Sequence, residues 1–168
     1  MVMNNNLSRN TNSTKLSSEC IRIFHQNIRS IRNKTHELLG HLHPDLPHII
    51  CLTEHHLTGQ EVHNTAIENC AVGAYYCRSL HQKGRSIIYT HNSLKFENID
   101  LSGYWKEKDL EICAIKIHTK TLTICIIAAY RAPSGNFTLF FHRLDNVLKL
   151  LNTHSNSLII CGDLNITT

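Results

Sequence analysis

Apolar residues in this chain gather in short runs of strand length, with one long stretch of helical period near the end. The last run, Ser157 to Cys161, leads straight into Gly162-Asp163-Leu164-Asn165. A continuous run of this kind reads as a strand buried on both faces. It would deliver Asp163 and Asn165 to the rim of a sheet, where open α/β sheets bind ligands. The plain alternative is an Asn/Asp turn that merely ends the strand.

From the start of the chain, residues 1–19 are rich in Asn, Ser and Thr and nearly free of large apolar groups. They read as a disordered leader before a folded unit over 20–168. Cys20 to Phe24 is a first strand, ending at His25-Gln26-Asn27. Ile28, Ile31, Leu38, Leu39 and Leu42 follow helical spacing, predicting a helix that stops near Gly40 or His41, before Pro44. Pro47 to Leu52 is a second buried strand, ending at Thr53-Glu54. Strand–helix–strand predicts a parallel pair with a right-handed crossover. Residues 55–69 read as a loop with a short helix. Ala74–Leu80 and Ser86–His91 read as strands joined by a turn at His81-Gln82-Lys83-Gly84, and Lys95 to Leu101 as another short strand. Glu111–His118 and Leu122–Tyr130, rich in β-branched residues, predict a hairpin turning at Thr119-Lys120-Thr121. After Pro133-Ser134-Gly135-Asn136, residues Phe137, Phe140, Phe141, Leu144, Val147, Leu148 and Leu151 share one face of a helix capped by Asn136 or Ser134.

Composition narrows this picture little. The 168 residues, 42% of them hydrophobic and 18% charged, suit one domain with a sizeable core. A net charge of +4 permits a polyanionic partner without establishing one. The thirteen histidines would make the surface more basic under acidic conditions. Seven cysteines show no disulfide-framework spacing, and Cys51, Cys113, Cys125 and Cys161 lie inside apolar runs. They read as small core residues of a reduced, intracellular protein. No apolar run approaches the length of a membrane span, and the N-terminus lacks a secretory h-region.

The chemistry collects at strand ends. Asn27, Glu54 and the Asp163/Asn165 pair each follow an apolar run directly, and Tyr130-Arg131 ends another. Gathered on one rim, they would form a cleft with carboxylates, amides, a phenol and a guanidinium. Magnesium prefers hard oxygen ligands and often takes only one or two carboxylates, a role that suits Glu54. Amide and phenol donors can hold a phosphate oxygen and stabilise charge that builds during attack. Each residue also has a bland reading. Asn27 would cap the next helix, Glu54 would be a solvated strand end, Tyr130 would pack its ring and wet its hydroxyl, and Arg131 would be a surface cation. Cys51, His55 and His56, with His41 and His43, suggest structural zinc, but the paired ligands of a zinc site are absent.

The order of these segments resembles the endonuclease/exonuclease/phosphatase superfamily. The resemblance rests on Gln26-Asn27, Ile49-Ile50-Cys51-Leu52-Thr53-Glu54, Ala129-Tyr130-Arg131-Ala132-Pro133 and Ile159-Ile160-Cys161-Gly162-Asp163-Leu164-Asn165. Asn27-Ile28-Arg29-Ser30, Leu52-Thr53-Glu54-His55 and Tyr130 through Phe137 look more closely like the endonuclease domain of non-LTR (LINE-type) retrotransposons. The similarity runs from Ile21 to the C-terminus. It implies an α/β fold, a deoxyribonuclease-like four-layer sandwich of two packed sheets with helices outside. It implies hydrolysis of DNA phosphodiesters with magnesium, or manganese in its place. By motif match, Glu54 would ligate the metal and Asn27 would support the metal and phosphate site. Tyr130 would bind the scissile phosphate, Asp163 would orient or activate the attacking water, and Asn165 would hold a phosphate oxygen.

Two departures stand out. The family's Gly-Gly pair before its central strand is here Gly84-Arg85-Ser86. The closing Ser-Asp-His motif is absent, and no histidine follows Gly162-Asp163-Leu164-Asn165. The expectation is therefore a domain missing its C-terminal strands, marginal in stability and weak or inactive as a 168-residue chain. A rival reading is a domesticated, non-catalytic module that keeps the fold and grips nucleic acid or protein. A third is a phosphatase or nuclease of the same superfamily with another substrate. Reading frame downstream of Thr168 separates the first two; comparing DNA with inositol phosphates and phospholipids tests the third. DNA is the expected partner, with no membrane. A nuclear location follows only from that substrate, and the pattern is silent on monomer or oligomer.

Overall fold

The computed structural model describes residues 20–78 and 85–166. The expected leader and the expected turn at 81–84 lie outside the described residues. The element order is β1 (Ile23–Asn27), α1 (Thr35–Leu42), β2 (Ile49–Thr53), α2 (Gly59–Asn64), β3 (Cys70–Tyr76), β4 (Ser86–His91), β5 (Phe96–Ile99), β6 (Glu111–His118), β7 (Thr123–Tyr130), α3 (Phe137–Leu151) and β8 (Asn156–Asp163).

The strands form two four-stranded mixed sheets, ordered β1-β2-β4-β3 and β5-β6-β7-β8. β1 and β2 are parallel, as strand–helix–strand requires, and so are β7 and β8; the other pairings are antiparallel. Period-2 alternation sorts the side chains into layers. Ile49, Cys51, Ala74 and Ile88 from the first sheet meet Cys113, Ile115, Ile117, Ile126 and Ala128 from the second. Ile50, Leu52, Ile87 and Tyr89 turn outward to pack with Leu38 of α1 and Val62 of α2. Ile112, Ala114, Cys125, Ile127 and Ala129 turn outward to pack with Phe140, Leu144, Val147 and Leu151 of α3. The result is a four-layer α/β sandwich. No helix among the described residues is long and apolar enough to cross a membrane.

Sequence periodicity overreached in three places. The helix expected from Ile28 starts only at Thr35. Ile28, Ser30 and Ile31 instead donate their amides to the carbonyls of Thr53, Glu54 and His55. Those bonds hold the segment beside the end of β2, with Arg29, Ser30 and Asn33 at positive φ. Ile31 is buried all the same, so an apolar spacing that looked helical serves a loop. The third strand begins at Cys70, ahead of the expected Ala74. The last strand is not buried on both faces: β8 lies at a sheet edge, and Ile160 is exposed. α3 is capped by Asn136, whose side chain accepts from Leu139 N, and not by Ser134. Phe137 and Phe141 on that helix are exposed while Phe140 is fully buried.

Candidate active site

The site is a consequence of register. Thr53 lies opposite Asn27 on one side and Ser86 on the other, and Ser86 lies opposite Tyr76. In the second sheet, Tyr130 lies opposite both Glu111 and Asp163. These positions share the parity of the residues packed between the sheets. The inter-sheet layer therefore changes from apolar to polar at one rim. Five strands, β1, β2, β3, β7 and β8, arrive there at their C-terminal ends and two, β4 and β6, leave from it.

Across that rim the sheets are tied by side chains. Asn27 Nδ2 donates to Asp163 Oδ2 at 2.7 Å. Tyr130 Oη donates to Glu54 Oε1 at 2.8 Å. Ser86 Oγ donates to the Glu111 carbonyl at 3.3 Å. Because Tyr130 and Asp163 are registered neighbours, Glu54, Tyr130, Asp163 and Asn27 form one continuous group. Asn27 does not cap a helix: its Oδ1 accepts from Arg29 N, and α1 has no side-chain cap.

Glu54 and Asn165 sit at φ 54° and 47°, in the left-handed region that non-glycine residues avoid. Glu54 is pinned there on both sides, its amide donating to the Arg85 carbonyl and its carbonyl accepting from Ser30 N. Its neighbour His55 is fully buried, with Nδ1 accepting from Leu57 N and Nε2 donating to the Tyr76 carbonyl. Burial pushes the His55 imidazole down from 6.5 to about 4. The strained carboxylate is thus aimed by a rigid turn rather than by its own rotamers.

Tyr130 is 2% exposed, and burial, followed by the Glu54 hydrogen bond, pushes its phenol up to about 12. It remains a protonated donor at neutral pH. Asp163 Oδ1 accepts a long bond, 3.4 Å, from Asn165 N. The Asn165 side chain turns away from the pit, with Nδ2 donating to the Arg131 carbonyl at 2.6 Å. Burial also lowers the pKa of His25, two residues before Asn27, and Asp163 partly offsets this.

Arg131 is no surface cation. It is 6% exposed and donates to the carbonyls of Leu164, Gly135 and Asn165, stapling the segment after β8 to the segment after β7. Gly162 is demanded by the same packing: a Cβ there would lie 2.0 Å from the Ala129 carbonyl oxygen. Three further residues escaped sequence reasoning. Glu111 is fully buried, and Arg78 donates to its Oε1 through Nε and Nη2. Arg85 Nε lies 3.8 Å from Glu111 Oε2. The signal for Glu111 was present: a charge at the core-facing parity of Cys113, Ile115 and Ile117.

Among the described residues, no group of three or more His, Cys, Asp and Glu could hold a metal ion. The donor set fits a hard cation held by fewer protein ligands. Among the described residues, the ion-pair neighbours of Glu54 Oε2 are His56 and Arg85, at 3.7 and 3.9 Å, which leaves a hard carboxylate oxygen at the pit. One carboxylate with water completing the shell suits magnesium and not a closed protein cage.

The architecture is shared with several nucleases of known structure. The endonuclease domain of TRAS1, a telomere-specific non-LTR retrotransposon, superposes with a TM-score of 0.66 at 15% identity, over 89% of this chain and 61% of that one. An AP endonuclease from Archaeoglobus fulgidus gives 0.63 at 20% identity, over 88% of this chain and 58% of that one. TDP2 from D. rerio, complexed with a single-strand DNA product, gives 0.63 at 13% identity, over 88% and 62%. At these identities the likeness is one of fold. The chain spans about three-fifths of the length of these structures. No family model matches the chain, and no curated protein matches it.

Proposed function

We propose that the pit belongs to a magnesium-dependent endonuclease domain that hydrolyses DNA phosphodiesters and derives from a non-LTR retrotransposon. The observation that carries this reading is the linked group Glu54–Tyr130–Asp163–Asn27 at one rim of two packed sheets. Glu54 would hold the cation, magnesium or manganese, which when bound supplies positive charge to a phosphoryl oxygen. Tyr130 keeps its proton and would donate it in a hydrogen bond to the phosphate once Glu54 turns to the cation. Asn27 occupies Asp163 Oδ2, so Oδ1 would be the oxygen that orients an attacking water. Asn165 would reach a phosphate oxygen only by exchanging its bond to the Arg131 carbonyl.

The test is nicking of supercoiled plasmid by the purified chain. Nicking that requires magnesium and disappears in Glu54→Ala is the expected result. Nicking that persists in Glu54→Ala overturns the assignment of Glu54. DNA retention with no cleavage at any magnesium concentration favours the rival reading, a non-catalytic nucleic-acid module.

A further inference from the structure

We propose that Arg85 is a phosphate-gripping residue of this pit, its guanidinium taking an oxygen of a phosphodiester; the inference rests on reading the pit as a phosphodiester site. Arg85 stands immediately before β4, a central strand of its sheet. Its backbone is fixed from both sides: the amide donates to the Tyr76 carbonyl and the carbonyl accepts from Glu54 N. The side chain is therefore rooted beside Glu54 by the fold.

The guanidinium lies over the Tyr130 ring, 5.2 Å from its centroid. Nη1 is 3.2 Å from His56 Nε2 and 3.9 Å from Glu54 Oε2, while Nε is 3.8 Å from Glu111 Oε2. The two carboxylate distances are ion-pair distances and too long for hydrogen bonds. Arg85 Nε and Glu111 Oε2 are both buried without a hydrogen-bond partner among the described residues. The neighbouring arginines contrast with this. Arg78 closes a two-donor bridge on Glu111, and Arg131 spends its donors on three backbone carbonyls.

Arg85 is thus drawn to the pit by charge and held over an aromatic face, with its hydrogen-bonding capacity incompletely used. A planar fork in that condition suits an anion with several acceptor oxygens. A cation on Glu54 would strengthen the case, since it would repel the guanidinium from that carboxylate and leave phosphate as the partner that satisfies both.

The experiment titrates inorganic phosphate into the metal-free 168-residue protein at constant ionic strength, followed by amide NMR. Saturable shifts at Glu54, Arg85 and Tyr130 are expected. Arg85→Gln should weaken binding about tenfold or more, as loss of a charge-assisted donor requires. Arg85→Lys keeps the charge without the fork and should weaken it about threefold. Unchanged affinity in Arg85→Gln overturns the inference; should that variant not fold, unchanged affinity in Arg85→Lys does. Shifts confined to another surface overturn it as well. Magnesium-dependent nicking with phosphate affinity independent of Arg85 sinks this inference and leaves the hydrolase reading standing. Arg85-dependent phosphate binding in a chain that shows no magnesium-dependent nicking does the reverse.

Discussion

Lowering the pH should unfold this protein through His55, and the loss can be sized from its surroundings. The imidazole is fully buried, accepts from Leu57 N and donates to the Tyr76 carbonyl, an arrangement that only the neutral ring can make. Its pKa falls from 6.5 to about 4 in the fold, chiefly by burial. The unfolded chain therefore binds a proton at this position below pH 6.5, while the folded chain refuses it until about pH 4. Stability is present above 6.5 and is lost as pH falls toward 4. Linkage puts the loss at about 2 kcal/mol by pH ~5 and about 3 kcal/mol by pH ~4. His48 and His25, also held down by burial, act in the same direction, so the wild-type curve alone does not isolate His55. The control is His55→Gln, measured by urea unfolding from neutral to acid pH. The variant should be less stable at neutral pH, and the gap should close on acidification by about 2 kcal/mol. Amide NMR should report the consequence at the site, since the same turn holds Glu54 at positive φ. Parallel loss of stability in the two proteins would refute the reasoning, as would a His55 ring that titrates near its ordinary value.

Two further perturbations probe the frame of the site. Gly162→Ala puts a methyl 2.0 Å from the Ala129 carbonyl oxygen, and β8 must move. The expected cost is about 3 kcal/mol in urea unfolding, with the Asn27–Asp163 bond lost; an unaltered midpoint contradicts the close approach. Arg131→Lys leaves one donor head where a fork held three carbonyls. It should cost about 3 kcal/mol and speed hydrogen exchange of the amides at 164–166; wild-type exchange there would show that the staple is dispensable.

What the sequence by itself determined is what depends on neighbours along the chain. Runs of apolar and β-branched residues in Ser86–His91 and Glu111–His118 set those strands, and the apolar face from Phe140 to Leu151 set α3. The ordered polar tips Asn27, Glu54, Tyr130 and Asp163 were legible because each follows an apolar run. Tertiary structure decided the rest, because the deciding partners lie far away in sequence. Ile28 to Ile31 leave helical geometry only because their amides find carbonyls beyond β2. β8 is half open because no strand pairs beyond it among the described residues. Arg131 is a staple and Arg85 a pit residue through contacts with Leu164, Glu54 and Glu111 that no local pattern encodes. Alternation says which way a side chain points; only the packing of two sheets says what it meets there.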